Sequence, residues 1–145
     1  MPSGSVSIDV AATPEAAFAV VADMTQAPRW VPDLVSVTKV TDGPVAVGTR
    51  YTEVVQMGDK QGDGELWVTV HEPPRVYAHD GQGGPARFSA RFTIEPAGDG
   101  CRVVHDYEVK LTGMARLMAP LMSKWVEKNS RAAMDNLKRL IEQGG

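Results

Sequence analysis

The segment from Asp33 to Lys110 constrains the fold most, because it contains one β-strand pattern after another with only turn-length gaps between them. Parallel strands must be joined by a crossover of about a dozen residues or more. The gaps here are shorter, and Asp99–Gly100 is typical of a tight hairpin, so we expect antiparallel pairing. The predicted strands in this segment are Leu34–Thr41, Thr49–Met57, Glu65–Glu72, Arg75–His79, Ala86–Glu95 and Cys101–Leu111.

The two ends of the chain add a further strand and the helices. Ser5–Val10 alternates polar and apolar residues, which is typical of a half-buried strand. A short helix is predicted after it, because Thr13 can cap the N-terminus and a proline occupies the first helical position. Asp23–Pro32 contains two prolines and predicts a second, very short helix or a turn. Met114–Gln143 has a helical pattern, with a kink or a break expected at Pro120.

The order of these elements predicts an α+β fold in a single domain, residues 1–145. Seven antiparallel strands form a sheet with one face to bury, and the C-terminal helix is the element long enough to cover that face. Because a flat sheet would leave apolar residues in water, we expect the sheet to curl around this helix. A curled sheet leaves a space between itself and the helix, closed at one end by the short helices.

Composition and charge exclude several classes of partner. The 15 Lys and Arg residues are scattered among 18 Asp and Glu residues and leave a net charge of −3, so we predict no binding to nucleic acid or to an anionic membrane. No apolar run approaches the ~20 residues that span a bilayer, and the N-terminus lacks the features of a secretory signal, so no integral membrane segment is predicted. The single cysteine, Cys101, cannot form an internal disulfide, and a cytoplasmic location is the prediction.

We predict neither a cofactor nor a metal site. His71 and His79 could approach each other across the turn at Pro73–Pro74, but no third ligand stands at a recognisable spacing. The sequence also lacks known catalytic motifs such as a Gly-x-Ser-x-Gly nucleophile elbow. The oligomeric state is left open between a monomer and a homodimer.

Several short motifs occur in the order and spacing of one protein superfamily. They are Val10–Glu15 with Phe18 and Val21, then Asp23, Pro28, Trp30 and Pro32, then Gly48–Tyr51 and Glu72–Arg75, followed by the long C-terminal helix. The chain thereby resembles the START/Bet v1-like (SRPBCC) superfamily, in particular its bacterial polyketide cyclase/dehydrase and lipid-transport-like branch. The resemblance implies a helix-grip fold with a pocket between the sheet and the helix. It implies no single reaction, because that superfamily includes ligand carriers, hormone receptors, aromatase/cyclases and co-chaperones.

Alternation along the strands predicts which side chains line this pocket. On Ala86–Glu95 and Cys101–Leu111 the more apolar set should face the helix. Methionines spaced four residues apart at the start of the helix suit an adaptable apolar surface, although ordinary core packing explains such a row equally well. The candidate ligand-binding residues are Trp30, Tyr51, Phe88, Phe92, His105, Tyr107, Met114, Met118, Met122 and Trp125.

Two strands leave the facing of their side chains open. On Thr49–Met57, Tyr51 and Glu53 share one face, and an inward Glu53 would be a candidate base, but we favour a rim or outer position for it. Glu65–Glu72 is equally mixed. The Gly81–Gly84 segment is predicted to be a loop, either a lid over the pocket or, as we favour, a mobile hairpin tip.

Three functions are compatible with these features. The first is binding of a hydrophobic small molecule, of lipid, polyketide or aromatic type, in the pocket. The second is a polyketide aromatase/cyclase-like enzyme, in which His105, Tyr107 and Glu53 would be the catalytic residues. A buried histidine satisfied by its neighbours is the simpler interpretation of His105. The third is a protein-interaction module with an exposed apolar patch and a filled cavity.

Overall fold

Seven antiparallel strands form one curved sheet whose concave face carries the buried side chains. A computed structural model describes residues 3–144. The strands are β1 (Ser3–Val10), β2 (Leu34–Lys39), β3 (Arg50–Met57), β4 (Lys60–Glu72), β5 (Val76–Gly83), β6 (Ala86–Ala97) and β7 (Gly100–Leu111). The helices are α1 (Pro14–Val21), a first 3₁₀ helix (Met24–Arg29), a second 3₁₀ helix (Gly113–Met118) and α2 (Ala119–Glu142).

The strand order in the sheet is β1-β7-β6-β5-β4-β3-β2. Every neighbouring pair is antiparallel, which confirms the pairing predicted from the short gaps. Strands β2 to β7 follow one another across the sheet, and β1 then pairs with β7. The α+β helix-grip fold predicted from the element order is confirmed.

The short helices form at the predicted places and close one end of the sheet. The Thr13 hydroxyl accepts a hydrogen bond from the Ala16 amide at 3.1 Å, and Pro14 occupies the first turn of α1. Asp23 caps the first 3₁₀ helix in the same way, through the Thr25 amide at 3.2 Å. The Asn136 side-chain amide of α2 donates to the Trp30 carbonyl at 3.1 Å, which fixes this end of the fold against the long helix.

Helix α2 packs chiefly along β1, through its C-terminal half. The side chains that α2 buries are Val126, Ala133, Met134, Leu137, Leu140 and Ile141. Pro120 lies in the first turn of α2, and the second 3₁₀ helix precedes it. Of the kink and the break that were predicted at this proline, the break is therefore confirmed. None of the helices within residues 3–144 is long and apolar enough to cross a membrane.

The predicted loop at Gly81–Gly84 is wrong for most of its length. β5 continues through Gly83, and Gly81 pairs with Leu66 on one side and Phe88 on the other. A Cβ atom at Gly81 would lie 2.3 Å from the Phe88 ring and 2.8 Å from the Glu65 carbonyl oxygen. Glycine is therefore needed there for close packing inside the sheet, and Gly81–Gly83 belong to a strand instead of a loop. Only Gly84, with φ of +54°, and Pro85 form the turn.

Candidate functional site

An aromatic cluster occupies the middle of the concave face. Each of its rings contacts at least one other ring of the cluster, at centroid distances between 4.3 and 6.3 Å. The aromatic cluster consists of Trp30, Tyr77, His79, Phe88, Phe92, His105 and Tyr107.

The register of three strands builds this cluster. Tyr77 of β5 lies opposite Phe92 of β6, which lies opposite His105 of β7, so three rings form a row across the sheet. The Phe92 and His105 rings stack at 4.3 Å and 4°, and Trp30 from the end of the first 3₁₀ helix meets Phe92 edge-on at 5.9 Å. Phe92 is therefore the ring on which the cluster converges.

Three buried polar atoms beside these rings have no hydrogen-bond partner within residues 3–144. They are Trp30 Nε1, Tyr51 Oη and His105 Nδ1. The Trp30 and Tyr51 side chains are fully enclosed, with 3% and 1% of their surface exposed. A buried polar group without a partner costs about 1–3 kcal/mol, so native proteins rarely keep one without a reason. A polar ligand atom that reached these groups would supply the missing hydrogen bonds.

The histidines of the cluster are neutral. Burial lowers the pKa of His79 to about 3, assisted by His105, and burial lowers the pKa of His105 to about 4. His79 Nδ1 lies 3.2 Å from the Tyr77 hydroxyl, whose pKa is raised by burial and by neighbouring Tyr51. A neutral imidazole offers one donor and one acceptor nitrogen, so the cluster provides hydrogen bonding without a net charge.

Glu53 also lies on the concave face and is half-buried, so of the rim or outer position that we favoured, the outer alternative is wrong. β3 pairs regularly with β4, so Glu53 stays on the same face as Tyr51 and lies opposite Gly64. Burial raises the pKa of Glu53. Its carboxylate makes neither a hydrogen bond nor an ion pair with the part of the chain that the structure describes. Tyr51 and Glu53 together give the site one hydroxyl and one carboxyl on the same strand.

The predicted ligand-binding residues divide into two groups. Phe88, Phe92, His105 and Tyr107 lie on the concave face, as the alternation of β6 and β7 predicted. Trp30 and Tyr51, the second of which lies on a strand whose facing was left open, are buried there as well. Met114, Met118 and Trp125 are not, because 84%, 51% and 49% of their surface is exposed, and Met122 is half-buried. The methionine row fails because this part of the chain buries no face at all: Leu117 of the second 3₁₀ helix and Leu121 of α2 are exposed as well, and Val126 is the first residue of α2 to be buried.

Sequence reasoning missed Tyr77 and His79 as parts of the site. Both lie on a short strand on which apolar residues occupy both faces, so alternation did not indicate which pair turns inward. The signal that identifies them is the pairing of β5 with β6, because Tyr77 and His79 stand opposite Phe92 and Ala90. The inward set of β6 was predicted correctly, and it determines the inward set of β5.

A cleft of about 550 Å³ lies between β1 and α2, at one side of the cluster. Gly4, Val6 and Tyr107 line it from the sheet. Lys124, Glu127, Lys128 and Arg131 line it from the helix, together with Ser123.

The sequence profile of the family described as polyketide cyclase / dehydrase and lipid transport matches residues 1–142. The chain belongs to this family. The protein Mb2604 of Mycobacterium bovis, described as uncharacterized, is 28% identical over 139 residues, which cover 94% of this chain and 82% of that protein. The resemblance to the START/Bet v1-like superfamily is thus confirmed by the sequence profile.

Solved structures share the fold of this polyketide cyclase and lipid-transport family. A START superfamily protein from Mycobacterium smegmatis has a TM-score of 0.80 at 20% identity, over 97% of both chains. The Zhui aromatase/cyclase from Streptomyces sp. R1128 has a TM-score of 0.75 at 17% identity, over 97% of this chain and 93% of that one. At these identities the similarity establishes the fold.

Proposed function

We propose that the protein binds a hydrophobic small molecule, of lipid, polyketide or aromatic type, on the aromatic cluster between the sheet and α2. The observation that carries this proposal is a set of three enclosed polar atoms beside apolar rings, Trp30 Nε1, Tyr51 Oη and His105 Nδ1, which find no hydrogen-bond partner among residues 3–144. Ligand sites are mostly apolar with a few convergent polar groups, which is the composition found here. Membership of a family described by polyketide cyclisation and lipid transport supports the same ligand class.

The polar groups define the end of the ligand that they would hold. Trp30 Nε1 and the Tyr51 hydroxyl are donors, and His105 Nδ1 donates or accepts according to its tautomer. Two donors favour an oxygen atom, in a carbonyl or hydroxyl group, on a ligand that is otherwise apolar. Each square ångström of apolar surface that the ligand buries adds about 25 cal/mol to binding.

Native mass spectrometry of gently purified protein, with identification of any compound released on unfolding, is the first test. A retained apolar compound that carries an oxygen function is the expected result. Titration with naphthol and naphthalene is the second test, and the protein should prefer naphthol. If no compound is retained and neither probe binds, the proposal is wrong.

Replacement of Trp30 by Phe is expected to weaken naphthol binding by about three- to tenfold, because the variant lacks the Nε1 donor and one hydrogen bond contributes about that much to affinity. Naphthalene binding should be nearly unchanged. Isothermal titration calorimetry measures both. Trp67→Phe is the matched control, because Trp67 lies away from the site with the Arg50 guanidinium 5.1 Å from its ring. Equal naphthol affinities in the two variants would contradict a ligand contact at Trp30.

A polyketide aromatase/cyclase-like enzyme is the second candidate, and the inward Glu53 favours it. A carboxyl group with a raised pKa and a neutral imidazole, His105, can exchange protons during aldol condensation and dehydration. Tyr107 stands next to His105 on the same strand face, with ring centroids 5.5 Å apart. Such a site needs only to position the substrate and to supply one or two acid–base groups. The Zhui aromatase/cyclase shares the fold of this chain.

Replacement of Glu53 by Gln separates the two candidates. If the protein is a cyclase that uses this carboxyl group, turnover of a poly-β-ketone thioester should fall by about a hundredfold or more while naphthol affinity is retained. Glu65→Gln is the control, because Glu65 pairs with Arg50 and Gln82 instead of facing the cluster. Turnover that survives Glu53→Gln and His105→Ala would show that these residues do not perform the acid–base chemistry.

A further inference from the structure

The cleft between β1 and α2 gathers cations in a protein whose net charge is −3. Lys124, Lys128 and Arg131 occupy positions i, i+4 and i+7 of α2, so they project from the same side of the helix. Glu127 is the one carboxylate among the residues that line the cleft. The cleft is therefore positive, although the chain is negative overall.

These three cations have no ion-pair partner within residues 3–144. The ion pairs of the described chain join other residues, at Arg50, Arg102, Lys110 and Lys138. An anion that entered the cleft would meet three unpaired cations at once, in a partly enclosed space where charge interactions are stronger than in open water. Arg131 can also bind a carboxylate or phosphate through two parallel hydrogen bonds.

Tyr107 connects this cleft to the aromatic cluster. It lines the cleft, and its ring lies 5.5 Å from that of His105. Gly4 of β1 stands opposite Tyr107, and a Cβ atom at Gly4 would come within 2.6 Å of the Tyr107 hydroxyl. The glycine thus leaves room for the phenol at the boundary between the charged cleft and the apolar face.

We propose that Lys124, Lys128 and Arg131 bind the anionic head group, a carboxylate or a phosphate, of a ligand whose apolar part lies on the aromatic cluster. This inference rests on the proposed function and narrows its ligand class to anionic amphiphiles. Because Tyr107 borders both the cleft and the aromatic cluster, one molecule can place its charged head group in the cleft and its apolar chain on the aromatic cluster.

Decanoate and decanol are the probes, because they share a chain and differ in the charge of the head group. The protein is expected to bind decanoate about tenfold more tightly than decanol at low salt. In the triple variant Lys124→Gln, Lys128→Gln, Arg131→Gln, decanoate affinity should fall by about tenfold, to that of decanol. Decanol affinity should stay within about twofold, because the apolar contacts are intact.

The control is a second triple variant, Lys60→Gln, Arg75→Gln, Arg91→Gln, which removes the same charge from exposed positions outside the cleft. It should retain the preference for decanoate, and circular dichroism is used to check that both triple variants are folded. Equal binding of decanoate and decanol by the unmodified protein, or an unchanged preference in the cleft variant, overturns this inference alone. If neither probe binds, the inference and the proposed function fail together.

Vesicle flotation distinguishes the two sources of the head group. Flotation with phosphatidylglycerol vesicles but not with phosphatidylcholine vesicles, lost in the cleft variant, places the anionic group in a bilayer. Binding of dispersed decanoate without flotation places it on a free amphiphile. Either result supports the cleft as the anion site, provided that the cleft variant loses it and the control variant keeps it.

Discussion

The free energy of unfolding is expected to fall steeply as the pH drops below about 6.5, the ordinary histidine pKa, because His79 and His105 are buried in the neutral form. In the unfolded chain both histidines take up a proton near pH 6.5, whereas in the folded protein their pKa values are about 3 and about 4. Between these limits the unfolded state binds more protons, so acid favours it. Each histidine contributes a loss of about 1.4 kcal/mol per pH unit.

The groups around the two rings explain why protonation is resisted in the folded state. Tyr77, Phe88, Phe92 and Tyr107 surround them with aromatic surface, and burial in such surroundings disfavours the charged form of an imidazole. Asp106, the residue after His105, raises the pKa of His105 but does not outweigh the burial. Below the folded-state pKa values the loss of stability levels off, because both states are then protonated.

Urea denaturation at about pH 7.5 and about pH 5 measures this loss. A double variant, His79→Gln with His105→Gln, should lose much of the difference between the two conditions, although it is less stable at both. Phe88→Leu is the control, because it disturbs the same cluster but keeps both histidines, and it should retain the full pH dependence. Parallel pH profiles for the unmodified protein and the double variant would contradict the assignment.

Truncation of Phe92 to alanine is expected to lower the free energy of unfolding by about 3–5 kcal/mol, the cost of removing a buried phenylalanine. Phe92 is buried, and it contacts the rings of Trp30, Tyr77 and His105. The same change removes the surface on which we place the ligand, so naphthol binding should be lost as well. Thermal denaturation and calorimetric titration measure the two effects.

Phe88→Ala is the matched control for Phe92→Ala. Phe88 is half-buried at the edge of the cluster, where its ring meets that of His79 at 6.3 Å, so it should cost less stability. Phe92→Leu provides a second variant, which keeps most of the volume but removes the stacked contact with His105. If Phe88→Ala lowers the free energy of unfolding as much as Phe92→Ala does, the cluster does not converge on Phe92.

The fold was predictable because its signals are local. Short gaps between strands permit only antiparallel pairing, and the capping residues at Thr13 and Pro14 lie next to the helix that they begin. Alternation on β6 and β7 predicted their inward faces because each strand has one clearly more apolar set. The inward position of Phe92 and His105 follows from that alternation.

The other parts of the site depend on contacts that alternation does not encode. β3 carries polar and apolar residues on both faces, so the inward position of Glu53 follows only from its pairing with β4. The place of Gly81 in a strand depends on the Phe88 ring, which occupies the space that a side chain would need. The exposure of Met118 is shared by Leu117 and Leu121, because none of the residues 113–125 is buried against the sheet, and the spacing of the methionines does not reveal this.

The partnership of β1 with β7 has a consequence for synthesis on the ribosome. Ser3 pairs with Glu108 and Val10 with Cys101, so β1 is synthesised well before β7 and has no partner strand in the sheet until β7 has been made. Strands β2 to β7 can pair one after another as each hairpin is synthesised. Pairing of β1 with β7 must instead close a loop of about 90 residues or more, and this step is slow because ordering so long a loop costs conformational entropy. Helix α2, which packs on β1, is translated later still. Until β7 and α2 have been made, β1 is left with an unpaired edge, and a nascent chain that carries such an edge is prone to aggregation.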